Sequence, residues 1–244
     1  MAKALEMPGV VTLKEPDVLI NLANRFIQSD DRANRDRLRL VLKLLCRPFE
    51  NGETVIVKPT NFANRLILPI LELNPESRAV LFFGDLAALL RSIVKRGMWG
   101  RIWGRQLFAN VSKWAPLDFG FDAEQTFTLT DLQALGLAWL MQVRQFAAVA
   151  EALPDRVMII DSANFLEAPQ DTLQSVGRFF GLQLDRDSAA QVVAGPTFAK
   201  HSKFADRDFN EADGTREDEE IEMVVKWVEA VASHLGVGLK PETA

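Results

Sequence analysis

The chain contains no tyrosine, one cysteine and two histidines in 244 residues. The single cysteine, Cys46, rules out an intrachain disulfide framework and a cysteine-rich metal site. His201 and His234 lie far from each other and from Cys46, so no zinc ligand set can be drawn from the sequence. No apolar run reaches the ~18 residues of a membrane span. The opening Met-Ala-Lys-Ala-Leu-Glu-Met has no long apolar stretch of the signal-peptide kind. Together these gaps point to a cytoplasmic protein with neither a membrane partner nor a metal. A surplus of positive charge is missing as well. The 28 Lys+Arg and 33 Asp+Glu leave a net charge of −5, which speaks against general nucleic-acid binding. The composition offers no physical reason for the missing tyrosine.

What is present suffices for a core. At 48% hydrophobic, the chain can bury a full interior as one domain over residues 1–235, with 236–244 as a loose tail. The stretch from Thr54 to Ser92 reads as a complete α/β unit. Thr54-Val55-Ile56-Val57 is a β-branched strand that stops at Lys58-Pro59-Thr60-Asn61. A helical pattern follows from Phe62 to Leu73. Ala79 to Phe83 is a second apolar strand, ending at Gly84-Asp85. A helix then carries Leu86, Leu89, Leu90, Ile93 and Val94 at spacings of three and four. Two further strands are expected, Pro8 to Leu13 and Val157 to Ile160, the latter ending at Asp161. Glu15-Pro16 opens a helix to about Gln28, with Glu15 as a first-turn acid. A basic amphipathic helix covers Asp31 to Phe49, and its apolar character predicts a buried Cys46. Later helices are read at Thr130–Leu153, Ala168–Phe180 closed by Gly181, and Glu217–Leu235. Gly97 to Phe127 and Gly195 to Arg216 read as irregular, and no internal repeat is visible. Strands alternating with helices imply a mostly parallel sheet flanked by helices in three layers. In such sheets, ligands bind at the carboxyl ends of the strands, where Lys58, Asn61, Asp85 and Ser92 fall.

The order of these residues resembles the sulfotransferase family. The matching features are Pro8-x-Val10 followed by Glu15-Pro16, Val57-Lys58-Pro59, Ser92 eight residues after Gly84, and Asp161 followed by Pro169 and Phe179-Phe180-Gly181-Leu182. The segment Gly195-Pro-Thr-Phe-Ala-Lys-His-Ser-Lys203 is similar to a basic loop that closes over the cofactor. The resemblance implies a P-loop-like fold. It also implies transfer of a sulfuryl group from 3′-phosphoadenosine-5′-phosphosulfate (PAPS) to a hydroxyl or amine of a small-molecule acceptor.

Two departures stand out. The family's first, central strand and its Gly/Arg/Ser/Thr-rich phosphate loop have no counterpart in these residues. Met1 to Glu6 reads as the end of the helix that would follow them. Without the middle strand, two strands would carry unpaired backbone groups. An upstream start, a fragment, or a sheet paired differently would each account for this, and the mid-helix look of Met1 to Glu6 favours the first. The second departure is Gly84, which stands where the resemblance implies an arginine for the donor's 3′-phosphate.

Each candidate has a functional and a plain reading. Glu15 suits a general base for the acceptor, or a helix-start acid. Lys58 suits stabilisation of the leaving phosphate's charge, or an ordinary exposed lysine. Asn61 suits substrate binding, or capping of the next helix. Ser92, Lys200, His201 and Lys203 are the cofactor-binding candidates, and otherwise surface polar groups. Trp99 and Arg101 belong to a basic stretch, Arg91 to Arg105, that suits an anionic ligand or a solvated helix end with two tryptophans packing down. Glu217-Asp218-Glu219-Glu220 reads as a helix N-terminal turn. Two other functions compete with the transferase. One is a non-catalytic α/β module that has lost donor binding. The other is a P-loop nucleotide enzyme using Asp85 or Asp161 for Mg²⁺, for which no Gly-Lys-Ser/Thr loop is present.

Overall fold

A computed structural model describes residues 1–195 and 215–240, which pack as two compact units. The first unit holds residues 1–79 and 164–195 of these. After a 3-10 turn at Ala2–Leu5 comes strand β1 (Val10–Lys14), then helices α1 (Asp17–Gln28) and α2 (Arg32–Leu45), and strand β2 (Thr54–Lys58). β1 and β2 pair in parallel, from Val10 opposite Thr54 to Lys14 opposite Lys58. Asp31 caps α2, its carboxylate accepting from the Asn34 N–H at 2.8 Å. The chain then turns as a 3-10 segment, Asn61–Leu66, and becomes α3 (Ile67–Leu73). Pro69 explains the late start, because a residue without an N–H fits only the first turn of a helix. Leu19, Leu22, Ala23 and Phe26 of α1 pack with Leu38 of α2 and with Ala63 and Leu66 to form this unit's core. The Arg35 guanidinium ties α2 to its neighbours, donating to both Asp30 oxygens and, at 2.7 Å, to Glu72. Hydrogen bonding to Arg35 holds the Asp30 carboxyl below its usual range. Helices α8 (Ser162–Glu167), α9 (Pro169–Phe180) and α10 (Arg186–Ala194) follow later in the chain. Gly181 closes α9 at φ 72°, and the Leu182 N–H turns back to the Gly177 carbonyl at 2.8 Å.

The second unit, residues 80–163 and 215–240, carries all but the first residue of strand β3 (Ala79–Phe83). Helices α4 (Leu86–Val94), α5 (Gly97–Val111), α6 (Ala123–Thr128) and α7 (Asp131–Ala152) come next. Strand β4 (Val157–Asp161) and the last described helix, α11 (Thr215–Leu235), complete it. A capping box at Thr130 and Gln133 starts α7. This helix is apolar on nearly all sides, and Leu132, Leu135, Leu137 and Leu140 are fully buried.

The α/β class and all four strand positions agree with the sequence, but the sheet does not form as one piece. Among the described residues the strands divide into two small parallel sheets, β1-β2 and β3-β4. α5 also overturns the irregular reading of Gly97 to Phe127. Its glycines weaken the helix locally, but they let it lie against its neighbours. A side chain at Gly104 would touch Leu135 of α7 at 3.2 Å. No helix of the described residues is long and apolar enough to cross a membrane.

Candidate active site

The carboxyl ends of β1 and β2 place Glu15 beside Lys58. The Glu15 N–H donates to the Lys58 carbonyl at 2.7 Å, one residue past the paired register. The Lys58 ammonium donates to the Glu15 carboxylate Oε1, and the two side chains remain 46% and 43% exposed. Glu15 is not a helix-start acid as its position before Pro16 suggested. It precedes α1 and adopts φ 51°, the one positive φ of a non-glycine residue among the described residues. The left-handed region costs an L-residue roughly 1–2 kcal/mol. An exposed ion pair contributes only about 0–1 kcal/mol. The ion pair alone does not offset that strain, and the Glu15 N–H bond to the Lys58 carbonyl stands beside it. Chemically, a carboxylate able to accept a proton stands next to a cation able to stabilise a developing oxyanion. The Met1 ammonium lies below its ordinary range, through burial first and the Lys58 charge second.

Asn61 is exposed, and it does not cap the turn it opens. That role falls to Thr60, whose hydroxyl accepts from the Phe62 N–H at 3.1 Å. A threonine immediately before the turn was the available signal for this cap.

Ser92, half-buried two turns into α4, follows β3 as the sequence predicts. The sequence expectation placed Lys58 and Ser92 at the edge of one sheet, but their strands belong to different sheets. At the end of β3, the Gly84 carbonyl accepts from the Trp139 indole at 2.8 Å. A Cβ at Gly84 would lie 3.1 Å from the Ser162 hydroxyl. A larger residue at this position would require the Ser162 hydroxyl to shift by a few tenths of an ångström. Asp85 spends both carboxylate oxygens on the first amides of α4, Ala87 N–H at 3.1 Å and Ala88 N–H at 2.9 Å. Those are the groups a phosphate would use at a helix start, and here an internal carboxylate holds them. Replacing Asp85 by alanine is expected to cost about 1 kcal/mol through the lost cap. Urea titration of Asp85→Ala measures it, and an unchanged midpoint would show that the cap contributes nothing. Asp161, 5% exposed, ends β4 and accepts from the Ala163 N–H at 2.9 Å, with the Lys240 ammonium 4.0 Å away.

The basic stretch is largely neutralised. Arg101 donates to both oxygens of Glu220, at 3.3 and 2.9 Å, and these bonds push its guanidinium above the ordinary value. Arg91 pairs with Asp218 at 3.4 Å, and Arg105 donates to the Leu129 carbonyl and Asp131. The acidic run read as a helix start is the partner of this stretch. Of the two tryptophans, Trp103 is half-buried but Trp99 stands 81% exposed. A cleft of about 720 Å³ opens further along α5, lined by Arg105, Phe108, Phe121 and Phe127. Stacking of Phe119 on Phe121 and of Phe121 on Trp227 shapes one side. Neither Trp99 nor Arg101 lines it, and the phenylalanines gave no sequence signal because their segment read as irregular. Cys46 is exposed, not buried, because it caps α2 at its C-terminal end instead of continuing the core face. Lys200, His201 and Lys203 lie outside the described residues. Among those described, no group of three or more His, Cys, Asp or Glu is placed to hold a metal ion.

Compared with protein-family models, curated proteins and solved structures, the chain matches none of them.

Proposed function

We propose that the chain is a sulfotransferase-type α/β protein that keeps Glu15 for the acceptor and Lys58 for the leaving phosphate. The observation that carries this reading is the strained, exposed Glu15–Lys58 pair at the carboxyl ends of two parallel strands. Glu15 would take the proton of an acceptor hydroxyl or amine as it attacks sulfur, and Lys58 would stabilise the charge left on the bridging oxygen of the departing phosphate as its bond to sulfur breaks. PAPS is the donor that the resemblance implies. The described residues do not fit its 3′-phosphate: Gly84 offers no cation and Asp85 occupies the amides of α4. The same two observations favour the second reading, a non-catalytic module that has lost donor binding.

Calorimetric titration with 3′-phosphoadenosine-5′-phosphate distinguishes the two. The 244 residues alone are expected to give no measurable heat. A strand and phosphate loop of roughly 20–30 residues added ahead of Met1 should give weak binding. If the extended protein fails to bind, the non-catalytic reading stands. Micromolar binding by the 244 residues would mean that the phosphate site lies elsewhere.

A further inference from the structure

Helix α2 carries two apolar stripes, and only one of them is used. Leu38 is fully buried, and Val41, Leu42 and Leu45 pack against the same core. On the opposite side, Leu40 is 59% exposed and Leu44 64%, and just beyond the helix end Phe49 is 84% exposed. Leu40 and Leu44 follow Arg37 at spacings of three and four, so the three share one face. Lys43 and Arg47 stand exposed beside them and have no ion pair among the described residues. From Asp30 to Glu53 the chain has six Arg and Lys and five acids. Arg32, Arg35 and Arg39 are paired with Asp30, Asp36 or Glu72, which leaves Arg37, Lys43 and Arg47 as the cations without an ion pair among the described residues.

We propose that this face docks on an anionic lipid surface, with Phe49, Leu44 and Leu40 entering the headgroup–acyl boundary and Lys43 and Arg47 meeting lipid phosphates. Exposed leucine and phenylalanine flanked by cations is the pattern of an interfacial helix. A contact between two copies would bring Arg37, Lys43 and Arg47 of each against a like set, with Asp36 as the one acid on the same stripe, and the surplus of like charge opposes it. A peptide partner of the groove-binding kind needs a concave site, whereas a helix end with a projecting phenylalanine is convex. The sequence pointed away from a membrane partner because no span is present, but a surface contact requires no span. The inference is independent of any transferase activity.

Sedimentation with vesicles tests it. The full chain is expected to bind phosphatidylcholine vesicles containing phosphatidylserine and to stay in solution with phosphatidylcholine alone. Raising the salt should weaken binding. Lys43→Glu with Arg47→Glu should weaken it by roughly tenfold or more, as two cations near the surface are reversed. Phe49→Ser with Leu44→Ser should weaken it by roughly tenfold as well, through lost apolar burial. These positions are exposed, and circular dichroism checks that each variant stays folded. A solvent-sensitive dye on Cys46, the one thiol of the chain, should report a drier environment on vesicle binding. Failure to bind phosphatidylserine vesicles overturns the proposal. So does binding that survives Phe49→Ser with Leu44→Ser, which would be adhesion of charge alone. Self-association without lipid that Phe49→Ser abolishes would assign the face to a second copy and also overturn it.

Discussion

Gly100→Ala is expected to lower the stability of the chain by about 2 kcal/mol, although alanine is the better helix former by about 1 kcal/mol. The opposing effect is larger. A Cβ at Gly100 would overlap the carbonyl oxygen of Ile93 and approach the Arg96 Cβ to 2.9 Å. Ile93 is itself buried at 1% exposure, and its carbonyl is backbone of α4, which cannot rotate away. Overpacking of this kind costs roughly 1–3 kcal/mol, at the upper end where backbone must move. Gly104→Ala is the internal control. Its nearest neighbour is the Leu135 side chain at 3.2 Å, which can shift by a few tenths of an ångström. The helix gain and the packing loss then nearly cancel, and the net change should stay within about 1 kcal/mol. In a chain of this size, 1 kcal/mol corresponds to roughly 2–4 °C in Tm. Thermal unfolding should therefore show a fall of roughly 4–8 °C for Gly100→Ala and little change for Gly104→Ala. Equal behaviour of the two variants would mean that α4 and α5 do not meet at Gly100.

The contrast between these glycines also shows what the sequence reveals and what it conceals. Strands were readable because their apolar runs are local: Thr54–Lys58 and Ala79–Phe83 stand between clear breakers. Capped helices were readable for the same reason, as at Thr130 and Gly181. α5 was not, because its glycines lower its propensity, and the close approaches of Gly100 to α4 and of Gly104 to α7 are not local. Sheet pairing was not readable either, since the periodicity of a strand does not name its neighbour. The partner of Arg101 lies 119 residues away, in a cluster that local reasoning assigned to a helix dipole. Lys58 and Glu15 were both flagged from their places at strand ends, but their pairing and the φ of Glu15 were invisible. A residue before proline is steered toward extended backbone, so a positive φ at Glu15 runs against its local preference.

That conflict makes Glu15 and Lys58 the most informative pair to change. In a form of the protein that transfers sulfuryl groups, Glu15→Gln removes the proton acceptor and keeps the size of the side chain. A general base contributes roughly 10²–10⁴-fold, and the turnover should fall by that amount. Lys58→Met removes the adjacent positive charge and should lower turnover by roughly 10²–10³-fold, if its role is of the oxyanion-stabilising kind. Neither change should matter much to folding. The side chains are 43% and 46% exposed, and an exposed pair is worth about 1 kcal/mol at most. Glu15→Gly carries the argument further. It relieves roughly 1–2 kcal/mol of left-handed strain. Against that stand the lost ion pair, at about 0–1 kcal/mol, and the extra freedom of glycine in the unfolded chain, at about 0.5–1 kcal/mol. Stability should therefore remain within about 1 kcal/mol of the parent while transfer is lost. Steady-state rates and urea midpoints on the same three variants measure both effects. A Glu15→Gly protein several kcal/mol less stable would make Glu15 a structural residue. Full turnover in Glu15→Gln would remove it from the chemistry and leave Lys58 without its proposed partner.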